Sequence, residues 1–184
     1  MPQVPDIKLE TERLILRVPE MGDFEALADM TSDAETMRHI TGAPLTRFDT
    51  WRMLAGNVGT WALKGCSMFS VVEKESGTWV GRIGLIDIPD WPGTEVGWML
   101  AKAFRGKGYA YEAVAACMDF AVNEMGWTEI IHCIEPANTA SCRLAEKLGS
   151  KILRRQRLMP PFDKDVSDIW GQTREQWQTK RNHA

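Results

Sequence analysis

Apolar and polar positions alternate in some stretches of this chain and recur every three to four residues in others, which separates strands from helices. Residues 14–18, Leu14-Ile15-Leu16-Arg17-Val18, form the first predicted strand, followed by Pro19 and a turn at Gly22-Asp23 that can cap a helix. From there to about residue 64 the pattern is helical. Phe24, Leu27, Ala28 and Met30 begin it, Gly42-Ala43-Pro44 breaks it, and a second amphipathic run covers 49–61. Strands are predicted at 67–73 and 79–87, joined by a tight turn at Ser76-Gly77, and at 94–100 after a loop. Ala110, Ala113, Val114, Cys117, Ala121 and Met125 then repeat at helical spacing up to Gly126. A buried strand at 129–134 ends before Pro136, and a helix from Asn138 closes at Gly149. Short strands near 151–154 and 166–170 are the last elements predicted. Two strand-helix units in tandem imply neighbouring parallel strands.

The 184 residues suit one domain spanning 1–184, large enough to bury a core without disulfides. There is no internal repeat, low-complexity tract or linker. The chain lacks a stretch of about 18 apolar residues, and its first residues do not resemble a signal peptide, so a cytoplasmic protein without membrane association is expected. A net charge of −3 without clustered basic residues argues against a nucleic-acid partner. Cys66, Cys117, Cys133 and Cys142 are widely spaced without a C-x-x-C pair, and read as reduced thiols. Most of the eight tryptophans are expected in the core, with Trp51, Trp61 and Trp91, together with Phe162 and Asp163, as candidate pocket residues.

The stretch richest in chemistry is Arg105-Gly106-Lys107-Gly108-Tyr109-Ala110, which follows a strand and opens a helix. Two glycines flanked by cations can point several N–H groups at one spot, an arrangement that suits a phosphate or pyrophosphate. A nucleotide-hydrolase loop would need Gly where Ala101 stands and Ser or Thr where Gly108 stands; a dinucleotide-binding turn would need Gly at Tyr111. Neither fits. The spacing does fit Arg/Gln-x-x-Gly-x-Gly/Ala, and with it the chain resembles the GNAT acyltransferase superfamily. Leu9-Glu10-Thr11-Glu12-Arg13-Leu14-Ile15-Leu16-Arg17 is similar to the opening L-x-T-x-R-L-x-L-R of its ribosomal-protein N-terminal acetyltransferase (RimJ/RimL) branch. Pro136-Ala137-Asn138-Thr139-Ala140-Ser141 with Leu144-Ala145-Glu146-Lys147-Leu148-Gly149 is similar to that branch's second cofactor motif.

The resemblance implies an α/β (α+β) GNAT fold, a mixed central sheet of about six to seven strands flanked by helices, with a parallel strand pair at the cofactor site. It implies acetyl-CoA as cosubstrate and no metal. The amides of Gly106, Gly108, Tyr109 and Ala110 would hold the pyrophosphate, with Arg105 and Lys107 adding charge. The backbones of Trp98, Met99 and Leu100, and Asn138, would hold the pantetheine arm, a backbone N–H near Met99 would meet the oxyanion, and Asn138 could equally be a helix N-cap. Glu95 is the first choice for general base, ahead of Asp87 and His132, and Ser141 the proton donor to the thiolate. Ala145 stands where many members carry a Tyr general acid, and Ser150 where a Phe is usual.

The expected function is acetyl transfer from acetyl-CoA to a primary amine by direct attack, the acceptor being a protein N-terminus or a small amine. The alternative is a catalytically silent CoA-binding module. Oligomeric state is open, a homodimer being the commonest arrangement.

Overall fold

The computed structural model describes residues 3–163 and 165–183. In chain order the elements are β1 (Lys8–Glu10), β2 (Leu14–Arg17), α1 (Phe24–Ser32), α2 (Ala34–Met37), α3 (Arg47–Lys64), β3 (Met68–Glu73), β4 (Trp79–Ile86), β5 (Glu95–Leu100), α4 (Tyr109–Asn123), β6 (Glu129–Ile134), α5 (Thr139–Leu148), β7 (Lys151–Arg157), β8 (Val166–Thr173) and α6 (Arg174–Asn182). The strands make one sheet in the order β1-β2-β3-β4-β5-β6-β8-β7, and only β5 and β6 run parallel.

The sheet therefore has eight strands, where the sequence suggested six to seven. The added strand, β1, is a three-residue edge segment whose Lys and Glu leave no apolar alternation to read. At the other edge β7 is longer than predicted because its Arg-rich half pairs with β8 although it buries little. α6 is unpredicted: its composition is strongly polar, but a Thr173/Gln176 capping box starts it and Trp177, 1% exposed, anchors it.

Caps set the helix ends that frame the site. Thr46 accepts from the Asp49 N–H at 3.1 Å to start α3, which stops at Gly65 with φ 71°. Asn138 starts α5, which stops at Gly149 with φ 92°.

Side chains from alternate positions of the strands fill the two faces of the sheet. On one face Leu16, Phe69, Ile83, Val96 and Leu100 pack against α4 through Ala113, Val114, Cys117 and Met118. On the other, Phe24, Leu27, Met37 and Leu54 from α1, α2 and α3 gather with Met99. Burying each large aliphatic or aromatic side chain contributes about 1.5–3 kcal/mol. This double cover holds β5 rigidly at mid-sheet. No helix among the described residues is long and apolar enough to cross a membrane.

Candidate active site

The parallel ladder between β5 and β6 closes at one position, Glu95 opposite Ile131, with the Ile131 N–H donating to the Thr94 carbonyl at 2.9 Å. A continuing ladder would next join the Cys133 N–H to the Val96 carbonyl. Side chains take both partners instead. Cys133 N–H donates to Glu95 Oε1 at 3.1 Å, and His132 Nδ1 donates to Val96 O at 2.7 Å. Past this point β5 and β6 part.

The parting frees main-chain groups along β5. Ala101 N–H donates to Val80 O, and the β4–β5 register is unbroken from there, so Met99 also faces β4. The groups facing the gap are those of Trp98 and Leu100, although the Leu100 carbonyl already accepts from Arg105 Nε at 3.1 Å. Among the N–H groups near Met99, those of Trp98 and Leu100 face the gap, and that of Met99 is turned into the sheet. Its side chain lines the cavity.

A cavity of about 190 Å³ runs through the gap. Glu95, 5% exposed, sits on its floor, with Oε2 accepting from Trp91 Nε1 at 2.6 Å. Burial raises its pKa, and the bonds from Cys133 and Trp91 oppose that only in part. A Cβ on Gly97 would lie 3.3 Å from Ile86 Cδ1 and 3.6 Å from Glu95 Oε1, so the glycine keeps this floor open. Across the cavity Trp98 Nε1 donates to Ser141 Oγ at 3.2 Å, which leaves the Ser141 hydroxyl hydrogen free for another acceptor. His132, 1% exposed, packs against Trp98 with ring centroids 5.0 Å apart and planes tilted by 59°. Burial lowers its pKa to about 4, so it is neutral and Nε2 is an acceptor without a partner among the described residues.

The glycine-rich turn lies outside this cavity, beyond the far end of β5. Gly106 (φ 76°) and Gly108 (φ 84°) adopt left-handed conformations that let the backbone curl before α4. The first amides of α4 have no intrahelical acceptor and carry the positive end of the helix dipole. Beneath the turn Arg13 donates to Lys107 O at 3.0 Å, pairs with Glu112 at 2.7 Å, and lies over the Tyr109 ring. Thr11 Oγ1 donates to Glu112 Oε1 at 2.6 Å, and Tyr109 OH donates to Glu73. About 17 Å of strand separates Glu95 from the turn. The glycine turn at one end, main chain facing a gap in the middle, and at the other end a largely apolar cavity that holds Glu95 and Ser141 have the length and chemistry to fit acetyl-CoA.

The acetyltransferase (GNAT) domain family matches residues 13–151. The chain belongs to the GNAT acetyltransferase family. It is 30% identical over 158 residues to the uncharacterised N-acetyltransferase p20 of Bacillus licheniformis, covering 85% of this chain and 87% of that protein. Its structure is similar to an acetyltransferase from Agrobacterium tumefaciens, with a TM-score of 0.78, 28% identity, and coverage of 90% and 94% of the two chains. RimL, a ribosomal alpha-N-protein acetyltransferase, shares the fold, with a TM-score of 0.76 at 14% identity over 91% of this chain and 94% of that one.

Within this GNAT framework the structure brings Glu95, Trp98, Met99, Asn138 and Ser141 to one cavity and leaves the turn residues at the other end of β5. Asn138 is a helix cap: Oδ1 accepts from the Ser141 N–H at 3.2 Å. Arg105 is committed to Leu100 O and to Thr36 Oγ1, the latter at 2.6 Å, so it braces the turn. Lys107, with Nζ 5.1 Å from the Phe104 ring centroid, has no carboxylate partner among the described residues. Asp87 pairs with Lys64 at 2.8 Å and does not line the cavity. Trp91 and Phe162 line the cavity edge to face. Trp61 is core, donating to Met68 O, and Trp51 lies against Phe24 on the outer surface. Asp163 is not among the lining residues described. Ala145 is fully buried, and Ser150 accepts from Gln172 Nε2 at 2.9 Å instead of filling an aromatic slot. All four cysteines are free thiols.

Sequence reading missed the brace formed by Thr11, Arg13 and Glu112, and it missed Arg82, a cavity residue on β4. The signal for Arg82 was present as a cation inside an otherwise apolar strand. Arg13 carried no such signal, because its partner lies 99 residues away.

Proposed function

We propose that the protein transfers the acetyl group of acetyl-CoA to a primary amine that enters the cavity beside Glu95. The observation that carries this reading is that Glu95 and the Trp98–Ser141 pair line one cavity where β5 and β6 part. When bound, acetyl-CoA supplies a thioester whose carbonyl carbon accepts the amine.

Glu95 removes a proton from the incoming ammonium group. A raised pKa makes it a stronger base than an ordinary carboxylate, which matters because a Lys-like amine near 10.4 is almost wholly protonated at neutral pH. Ser141 donates its hydroxyl hydrogen to the departing sulfur, while the Trp98 indole N–H holds its oxygen. Gly106, Gly108, Tyr109 and Ala110 hold the phosphates through their amides, aided by the Lys107 charge. Trp98 and Leu100 present main chain to the pantetheine arm.

Support for a ribosomal-protein acceptor is weaker than the opening motif suggests. Thr11 and Arg13, which carry the likeness to that branch, grip Glu112 and the turn and do not line the acceptor cavity. The motif therefore speaks for the cofactor end. The test is CoA release from acetyl-CoA with peptides, polyamines and amino acids, recording product masses. A gain of one acetyl group on an amine is expected. Tight acetyl-CoA binding with no acetylated product would favour the silent module.

A further inference from the structure

The charged groups around the cavity are unequally matched. Glu95 is held by Trp91 and Cys133, and Glu135 accepts from or pairs with His39 at 2.8 Å. Asp165 and Arg38 stand at the exposed rim. Arg82 is different. It is partly buried on β4, and among the described residues its guanidinium bonds to neutral groups: Nη1 donates to Met53 Sδ at 2.7 Å and Nη2 to Asn57 Oδ1 at 3.2 Å. Nε is shut off from solvent and has no partner among the described residues.

A thioether is a weak acceptor and an amide carries no charge, so neither offsets the loss of water around a cation. Burial lowers the pKa of Arg82 to about 10, which leaves it protonated at neutral pH. An anion arriving in the cavity would gain a charge-assisted, two-pronged contact with it.

The sheet register fixes where such an anion would lie. Ile86 faces Glu95 across the β4–β5 ladder, and Arg82 faces Met99 four residues further along. Arg82 and Glu95 thus project from the same face, on pairs about 13 Å apart along the strands. The facing pair between them, Gly84 and Gly97, carries no side chain. Arg82 is drawn toward α3 and Glu95 toward β6, yet both line the same cavity, so one small molecule in it can meet both.

We infer that the acceptor is a small primary amine bearing its own anionic group, a carboxylate or a phosphate, which docks on Arg82 while the amine reaches Glu95. This rests on the acetyltransfer reading above and narrows it to one chemical class. It makes Arg82 a specificity-determining residue that touches substrate away from the reacting atoms.

The test compares amines that differ in the anion: β-alanine against its amide, and 2-aminoethyl phosphate against ethanolamine, with spermidine as the cationic comparison. CoA release at saturating acetyl-CoA gives kcat and KM, and calorimetry with the CoA-loaded protein gives binding separately. The anionic members should have kcat/KM at least about 30-fold above their partners, and the better of the two identifies the anion as carboxylate or phosphate. Arg82→Gln should erase that advantage chiefly through KM, and Arg82→Lys should restore part of it. Acetyl-CoA affinity should stay within about threefold in both variants, because Arg82 lies on the face of the sheet opposite α4.

Preference for ethanolamine, the amide or spermidine would overturn the inference, as would an Arg82→Gln effect equal for all amines. If Arg82→Gln does not fold, the wild-type preference and Arg82→Lys decide. Anionic amines that bind wild type and not Arg82→Gln, yet are never acetylated, would uphold the anion site and sink the acetyltransfer reading. Neither binding nor acetylation of anionic amines would overturn the anion site.

Discussion

His132 Nδ1 lies 2.7 Å from the main-chain oxygen of Val96, in the place a β6 amide would occupy if the parallel ladder went on. The imidazole acts as a wedge that satisfies Val96 without letting the strands close. Glu95 does the complementary task for the Cys133 N–H.

Replacing the wedge should close or loosen the gap. His132→Ala leaves the Val96 carbonyl unpartnered at a cost of about 1–3 kcal/mol, and acetyl-CoA affinity should fall about tenfold as the β5 main chain is no longer held open. His132→Gln keeps a donor and should recover part of both. Thermal unfolding and calorimetric titration check the two effects.

The same residue gives a signed pH dependence. Its folded pKa of about 4 lies below the unfolded value near 6.5, so the unfolded chain binds the extra proton first. Stability from this group is complete above pH 6.5 and is lost as pH falls toward 4, by roughly 3 kcal/mol. Glu95, whose pKa is raised, slopes the other way in the overlapping range. The quantity to measure is therefore the difference in denaturant midpoint between wild type and His132→Gln, which should shrink as pH drops.

Glu95→Gln should lower kcat at least about 100-fold and remove the acid limb of the pH profile. That limb should lie above the ordinary carboxylate range, since the proton must leave a buried carboxyl group. A glutamine oxygen cannot replace both carboxylate oxygens, one on Trp91 and one on Cys133, so some stability is lost as well. An unaltered pH–rate profile in the variant would exclude Glu95 as the base.

Ser141→Ala should slow turnover about tenfold and leave acetyl-CoA affinity nearly unchanged, because a thiol with a reference pKa near 8.5 needs modest help to leave. The Trp98 indole would lose its acceptor. Single-turnover kinetics with a fast thiol probe would show the deficit in the chemical step; a deficit only in product release would count against the assignment.

Arg13→Ala removes the support under Lys107 and the cationic partner of Glu112. Acetyl-CoA should bind about tenfold more weakly with kcat little altered. Gly108→Asp should abolish binding, since φ 84° strains any side chain and a Cβ there lies 3.3 Å from Arg13 Nη2. Direct titration with acetyl-CoA separates these variants from those at Glu95 and Ser141.

The elements around the cofactor end were legible because their signals are local. A strand, two glycines and a helical repeat lie consecutively between Glu95 and Asn123, and the Asn138 and Gly149 caps bracket α5. What escaped depends on distant partners. β1 and the second half of β7 are polar edge segments, held by pairing, while α6 is a polar helix fixed by one buried tryptophan. Within the site, Glu95 and Ser141 stand out by type and place, whereas the direction of the Met99 amide follows from sheet register and the role of Arg82 from what fails to surround it.

Both ends of α4 are fastened by remote parts of the chain. Thr11 and Arg13 grip Glu112 across 101 and 99 residues, and Trp177 and Arg181 grip Asp119 across 58 and 62. Neither anchor is local, so the helix that follows the glycine turn takes its final position only when segments from before and after it in the chain have come together.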